Sequence, residues 1–240
     1  MSLPFELCDR TLNRIVARHG DLVEVETPLA KLVSPMSPEP VGSMRVFRGT
    51  SVAKLVYVGL VVPMIHLDSH MIFAFTGPES AVPHFTLDSV YGGSYHAFHL
   101  DLIPRADLAT HLSYVDAAYH PLTPVFEAAS AQEGLTAAAV GPRQRAVMSP
   151  WMLVNRATEE AFAGIGEHVD AYADHWSSLV EGGFDADVTA TLADTDLPGR
   201  DAAVRANIFS RDVDPVWSQV SRLLGDATTD ALRAELIANE

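Results

Sequence analysis

The sequence predicts an α+β fold, an α/β/α three-layer sandwich with a central antiparallel sheet and helices on both faces, built as one domain over residues 1–240. Three observations carry this reading. Residues 21–103 are a succession of β-branched and aromatic runs, several ending in turn chemistry such as TGPES and YGGS, the pattern of hairpins and so of antiparallel pairing. Helical periodicity precedes that region and returns after Pro104. No strand leads into a glycine-rich turn and a helix, which disfavours a doubly wound parallel sheet.

The elements follow in order. Residues 3–19 set Phe5, Cys8, Leu12, Ile15 and Val16 on one helical stripe, with Ser2 as N-cap and Gly20 as the stop. The runs LVEVE, MRVF, AKLVYVGLVV, MIHLDSHMIFAF, HFTLDSVY and SYHAFHLDLI are the expected strands, so the sheet spans about residues 22–103. Short helices are expected at 107–119 and 123–131, interrupted at His120-Pro121. Residues 158–181 read as one long helix capped by Thr158, with Glu159 and Glu160 in its first turn. A polar loop at 182–199 precedes helices at about 200–208 and 214–237, the second broken near Gly225.

Composition narrows the function. The 240 residues hold 16 Lys and Arg against 31 Asp and Glu, a net charge of −15, which argues against nucleic acid or an anionic membrane as a main partner. The longest apolar run, Leu55 to Ile65, contains Pro63 and is too short to span a bilayer. Glu6, Asp9, Arg10 and Arg14 interrupt the first twenty residues, unlike a secretory leader, and the single Cys8 fits a reducing compartment, so a cytoplasmic location is expected. There is no GxGxxG, Walker A, GxSxG or paired CxxC motif.

Two groups of residues carry candidate chemistry. His66, Asp68 and His70 alternate, so one strand face would hold all three, and His84, His96 or His99 could complete a divalent-metal site. The competing reading, a solvated or ligand-filled sheet face without metal, has more weight, because a metal site also needs partners that orient its ligands. In HFTLDSVY the same alternation puts His84, Thr86, Asp88 and Val90 together, which places the Asp88 carboxylate at an edge or in a pocket. Asp101 in HLDLIPR is either a functional carboxylate or one bonded to backbone donors at a strand end.

The stretch PHFTLDSVYGGSYHAFHLDLIPRADL, followed by SYVDAAYHPLT, SPWMLVNRATEEAF and RDAAVRANIFSRDVDPVW, resembles red chlorophyll catabolite reductase, a member of the ferredoxin-dependent bilin reductase superfamily. The match runs over about residues 83–224 and rests on a Pro-x-Phe strand with a carboxylate, a Leu-Asp-Leu strand, and a Ser-Pro segment leading through an apolar strand to Arg. The resemblance implies a linear tetrapyrrole held between the sheet and the C-terminal helices. It implies no tightly bound cofactor, with external ferredoxin supplying electrons and protein carboxylates supplying protons. On it, Asp88 falls at the proton-donating position and Arg156 at a basic residue suited to a propionate. Thr86 and Asp101 join it as substrate contacts. Asn207 falls where relatives carry a second acid, and an amide supplies no proton, so His66 and His70 would compensate.

The expected geometry is then specific. Asp88 should face a cavity bounded by the sheet and helices after residue 150, with His66 or His70 on the same face. At least three of Arg45, Arg48, Lys54, Arg143, Arg145 and Arg156 should cluster at its mouth, since ferredoxins are acidic. A carrier of an apolar carboxylated molecule and a non-redox acid/base enzyme are the alternatives on the same fold.

Overall fold

The computed structural model describes residues 1–239. Nine strands form one sheet: β1 (Val23–Val25), β2 (Leu32–Ser34), β3 (Ser37–Arg48), β4 (Lys54–Val62), β5 (Leu67–Phe75), β6 (His84–Gly92), β7 (His96–Ile103), β8 (Leu135–Ala137) and β9 (Leu153–Ala157). They run in the order β1-β3-β4-β5-β6-β7-β9-β8, with β2 paired to β3 off that path. Every pairing is antiparallel.

Strand alternation divides the core in two. Along β4, Leu55 and Tyr57 enter one core while Val56, Val58, Leu60 and Val62 enter the other. The first face is covered by α1 (Leu3–Arg18), α2 (Leu112–Ala118), α3 (Thr123–Ala131), α5 (Glu159–Gly164) and α6 (Gly166–Gly182). The second is covered by α8 (Leu197–Ile208), α9 (Val216–Leu224) and α10 (Asp226–Ile237), with α4 (Pro142–Val147) alongside α8. The short α7 (Ala186–Thr191) packs on α2. Helices thus cover both faces of an antiparallel sheet, as the sequence predicts.

Local chemistry explains the boundaries. Ser2 Oγ accepts the Phe5 amide and starts α1, and Thr158 Oγ1 accepts the Ala161 amide and starts α5. The expected helix over 158–181 is two helices, because Gly164 and Gly166 flank Ile165, which ends one helix and opens the next. The sheet extends beyond residue 103: the chain returns after α3 to add β8 and β9 at its edge. The loop expected at 182–199 holds α7, and α8 begins at Leu197, capped by Asp196 accepting the Gly199 amide. Between β4 and β5, Pro63–Ile65 form a 3-10 turn, so β5 starts at Leu67.

The first face is tightly packed. Trp176 is fully buried and donates its indole N–H to Pro83 O at 2.8 Å. Arg10, Arg14 and Arg18 of α1 pair with Asp170, Asp174 and Glu181 of α6, exposed pairs worth about 0.2–1 kcal/mol each. On the second face, buried charges attach the C-terminal helices. Asp201 of α8 accepts from His84 and Arg205 and lies 3.4 Å from Arg105. Burial opposes its charge, but these partners prevail and hold it down at about 2. Burial also pushes His84 down to about 3, so the imidazole is neutral. Lys54, fully buried, donates to the carbonyls of Glu235, Leu236 and Ala238 at the end of α10.

Candidate functional site

The β6–β7 hairpin builds the site. Gly93 takes φ +79° in its turn, a conformation that favours glycine, and the Gly92 amide donates to Tyr95 O. The resulting register sets Asp88 directly opposite His99. Both point to the second face, into a cavity of about 390 Å³. That is the lower part of the size range of small-molecule sites, roughly 300–1,000 Å³. The sheet wall includes Met71, Phe73 and Thr86, and the opposite wall is Phe209, Asp214, Trp217 and Val220. Ile65 and Tyr95 stand at the hairpin ends, where both are exposed.

His99 Nδ1 donates to Asp88 Oδ2 over 3.3 Å, leaving Asp88 Oδ1 and His99 Nε2 buried without partners. Thr86 Oγ1 and Trp217 Nε1, also on the cavity walls, are likewise unpartnered among the described residues. Four orphaned polar atoms around one apolar space are costly unless a ligand or water meets them, which makes this cavity the candidate binding site. Burial disfavours the His99 cation, but the hydrogen bond and charge of Asp88, with Asp101 and Asp214 nearby, outweigh it and raise its pKa. Asp214 accepts the Val216 amide, and burial together with the Asp88 charge raises its pKa. The cavity therefore has an imidazole–carboxylate pair on one wall and a second carboxylate on the other, with the His99 and Asp214 pKa values both shifted upward.

Several expected residues lie elsewhere. His70 pairs in register with Ser89, and Met71 with Asp88, so His70 occupies the opposite face of the sheet. There its ring nitrogens meet Tyr57 Oη at 2.7 Å and Asp68 Oδ1 at 2.6 Å. His66 is not on a strand: it ends the 3-10 turn at φ 52° and is exposed. Asn207 sits on the exposed side of α8, while its neighbours Ile208 and Phe209 face the cavity. The second carboxylate is instead Asp214, seven residues on. Asp101 is fully buried, but its oxygens accept the Ser149 amide and hydroxyl, so it ties β7 to the segment before β9 and does not line the cavity. Among the described residues no group of three or more His, Cys, Asp or Glu could hold a metal.

The basic candidates divide. Lys54 is buried, Arg45 pairs with Glu24 on the other face, and Arg48 reaches Glu235 at the far side of the sheet. Three lie nearer the cavity: Arg156 stacks on Tyr95 at 4.5 Å, Arg143 donates to Asp212 O close to Asp214, and Arg145 is on the same helix as Arg143. Of the six candidates, at least three of which are expected at the mouth, Arg156 is held there by its contact with Tyr95, Arg143 and Arg145 lie on the neighbouring α4, and register and burial send the others away.

The sequence offers His99 as a metal-ligand candidate, while folding the hairpin about Gly93 and Ser94 places position 99 opposite 88. Asp214 and Trp217 fall in the C-terminal segment RDAAVRANIFSRDVDPVW that carries the resemblance, but nothing local marks them as cavity residues, because the docking of α9 and the segment before it is tertiary.

No family model and no curated protein matches the sequence. The architecture, however, is a known one: a single antiparallel sheet between two helical layers. Phytochromobilin synthase from tomato, solved in complex with biliverdin, has this fold, with a TM-score of 0.73 over 98% of this chain and 82% of that one. Identity is 16%, so the likeness is one of fold.

Proposed function

We propose that the chain reduces a linear tetrapyrrole in the Asp88–His99–Asp214 cavity, using electrons from an external ferredoxin and no tightly bound cofactor. The observation that carries this reading is the placement of two carboxylates and an imidazole around unpartnered polar atoms in one apolar cavity, within a fold shared with a biliverdin-bound synthase. Reducing one carbon–carbon double bond consumes two electrons and two protons. Each electron leaves negative charge on the pigment, and a proton must follow. The His99 imidazolium, hydrogen-bonded to Asp88, is placed to provide one, and the carboxyl of Asp214 the other. Arg156, stacked on Tyr95 at the cavity mouth, is positioned for a propionate side chain.

The test is an absorbance titration with biliverdin, repeated anaerobically with reduced ferredoxin. Saturable binding followed by loss of the biliverdin spectrum supports the proposal. Binding without reduction would favour the second reading, a non-redox acid/base enzyme or binding protein for an apolar carboxylated molecule. The dispersal of Arg45, Arg48 and Lys54 from the cavity mouth favours that second reading, because it leaves a smaller basic face for an acidic donor.

A further inference from the structure

Among the cations buried on the second face, Lys54 is held differently from its neighbours. Arg105 and Arg205 share the Asp201 carboxylate. The Lys54 ammonium, fully buried, donates instead to the carbonyls of Glu235, Leu236 and Ala238 at the end of α10, and it makes no ion pair among the described residues. Phe75 stands opposite it on β5, with the ammonium 5.3 Å from the ring centre, and Arg48 stands opposite it on β3. The other charges that reach it are Arg205 and Asp201 of α8 and Glu235 of α10, itself 3.6 Å from Arg48.

The helix end and the Phe75 ring favour a cation. Burial opposes it, and with repulsion from Arg205 and Arg48 it outweighs the attraction of Glu235 and Asp201, pushing Lys54 down to about 7. What Lys54 holds bears on the main cavity. Leu232 of α10 lines it, and Arg233 of α10 donates to Phe209 O at 2.6 Å and lies 6.0 Å over the Trp217 ring. Helix α10 thus braces the wall that faces Asp88 and His99.

We propose that the last turn of α10 is a proton-coupled clasp on that wall: it opens by releasing Lys54 into water, where the amine takes a proton from solvent, and returns that proton on closing. A neutral amine keeps two of the three donors of an ammonium, so the closed form survives the loss. In the open form Lys54 regains the ordinary lysine range, about 10.4. Between about 7 and that value the open form binds more protons, so raising the pH closes the clasp, by up to about tenfold per pH unit. Well below 7 both forms are protonated, and opening no longer depends on pH. The clasp acts on the cavity whatever ligand it takes and does not rest on the reductase reading.

The test is amide hydrogen exchange, followed by NMR on the full chain without pigment, between about pH 6 and 8 and corrected for the intrinsic pH dependence of exchange. Protection at residues 235–237 and, through Arg233, at 217–220 is expected to rise by about tenfold over that range. Lys54→Met, which carries no proton, should remove the rise. In the unaltered protein Lys54 itself should titrate, by NMR of its side chain, with a midpoint of about 7. That measurement needs no variant, so the proposal stays exposed even if Lys54→Met fails to fold. Unchanged protection at either segment, a rise that persists in Lys54→Met, or a Lys54 midpoint in the ordinary lysine range would each overturn it.

Discussion

The two faces of the sheet each carry an imidazole–carboxylate pair, and the pairs are built to opposite ends. On the first face, His70 is enclosed by α1: Phe5 meets its ring edge-on, Tyr57 stacks on it, and both nitrogens are bonded. Gly59 makes room, since a Cβ there would stand 2.7 Å from Tyr57 Oη and 3.0 Å from His70 Nδ1. On the second face, His99 makes one long bond to Asp88, and each partner keeps an orphaned atom beside a cavity. The same residue types therefore give one pair whose imidazole is bonded at both nitrogens and another whose unpartnered atoms face a cavity. What separates them is the covering layer: α1 and α6 fill the first face, while α8–α10 leave space over the second.

The largest expected effect tests that distinction directly. Asn is nearly isosteric with Asp but carries no transferable acid proton. Asp88→Asn should lower anaerobic biliverdin reduction by roughly 10²–10⁴-fold, the usual scale for losing a general acid or its partner, while pigment binding and thermal unfolding change little. Asp68→Asn on the other face should leave turnover intact and register only in stability. Were the two variants to exchange these outcomes, the assignment of the reactive face would be wrong.

Next in size is a difference in packing. Trp176 is fully buried and bonded to Pro83 O, whereas Trp217 has an unpartnered indole N–H and one side on the cavity. Trp176→Ala should cost about 3–5 kcal/mol in urea unfolding, the range for large core truncations. Trp217→Ala should cost less than half as much and should mainly weaken pigment binding. Equal stability losses would mean that the second face is packed as closely as the first, and the cavity would lose its meaning.

This contrast also explains what the sequence makes legible. The layer order, the antiparallel sheet and the Ser2 and Thr158 caps follow from periodicity and short-range hydrogen bonding, so they are visible in a local window. Asp88 is visible for the same reason, since alternation within β6 fixes its face relative to Thr86 and Val90. The difference at His70 arises one level higher: alternation within β5 holds for Asp68 and His70, though not for His66 outside the strand, and the register between β5 and β6 decides which parity of one strand shares a face with the other. Asp214 and Trp217 depend on how α9 docks across more than a hundred residues of chain, and β8 and β9 join the sheet only through such long-range pairing. Asn207 illustrates the cost of matching by sequence alone, as one turn of α8 carries it to the solvent side.

The smallest expected effect is also the most direct measure of the difference between the two imidazoles. Burial is the main influence on His70 and lowers its pKa despite the bond to Asp68, whereas at His99 burial is outweighed by Asp88 and the neighbouring carboxylates, so its pKa rises. The consequences for stability have opposite signs. With a folded pKa below the unfolded value near 6.5, His70 favours the native state above that pH, and its contribution is lost as pH falls from there through its folded pKa. With a folded pKa above the unfolded one, His99 contributes fully below about 6.5, and its share is lost as pH rises through its folded pKa. Imidazole NMR titration between about pH 5 and 8 should therefore find the His99 midpoint above that of His70. His70→Gln should remove part of the acid-side loss of stability, and His99→Gln part of the alkaline-side loss. If the midpoints came in the reverse order, His99 would be neutral where the proposed chemistry requires it to hold a proton, and proton supply would pass to Asp214 alone.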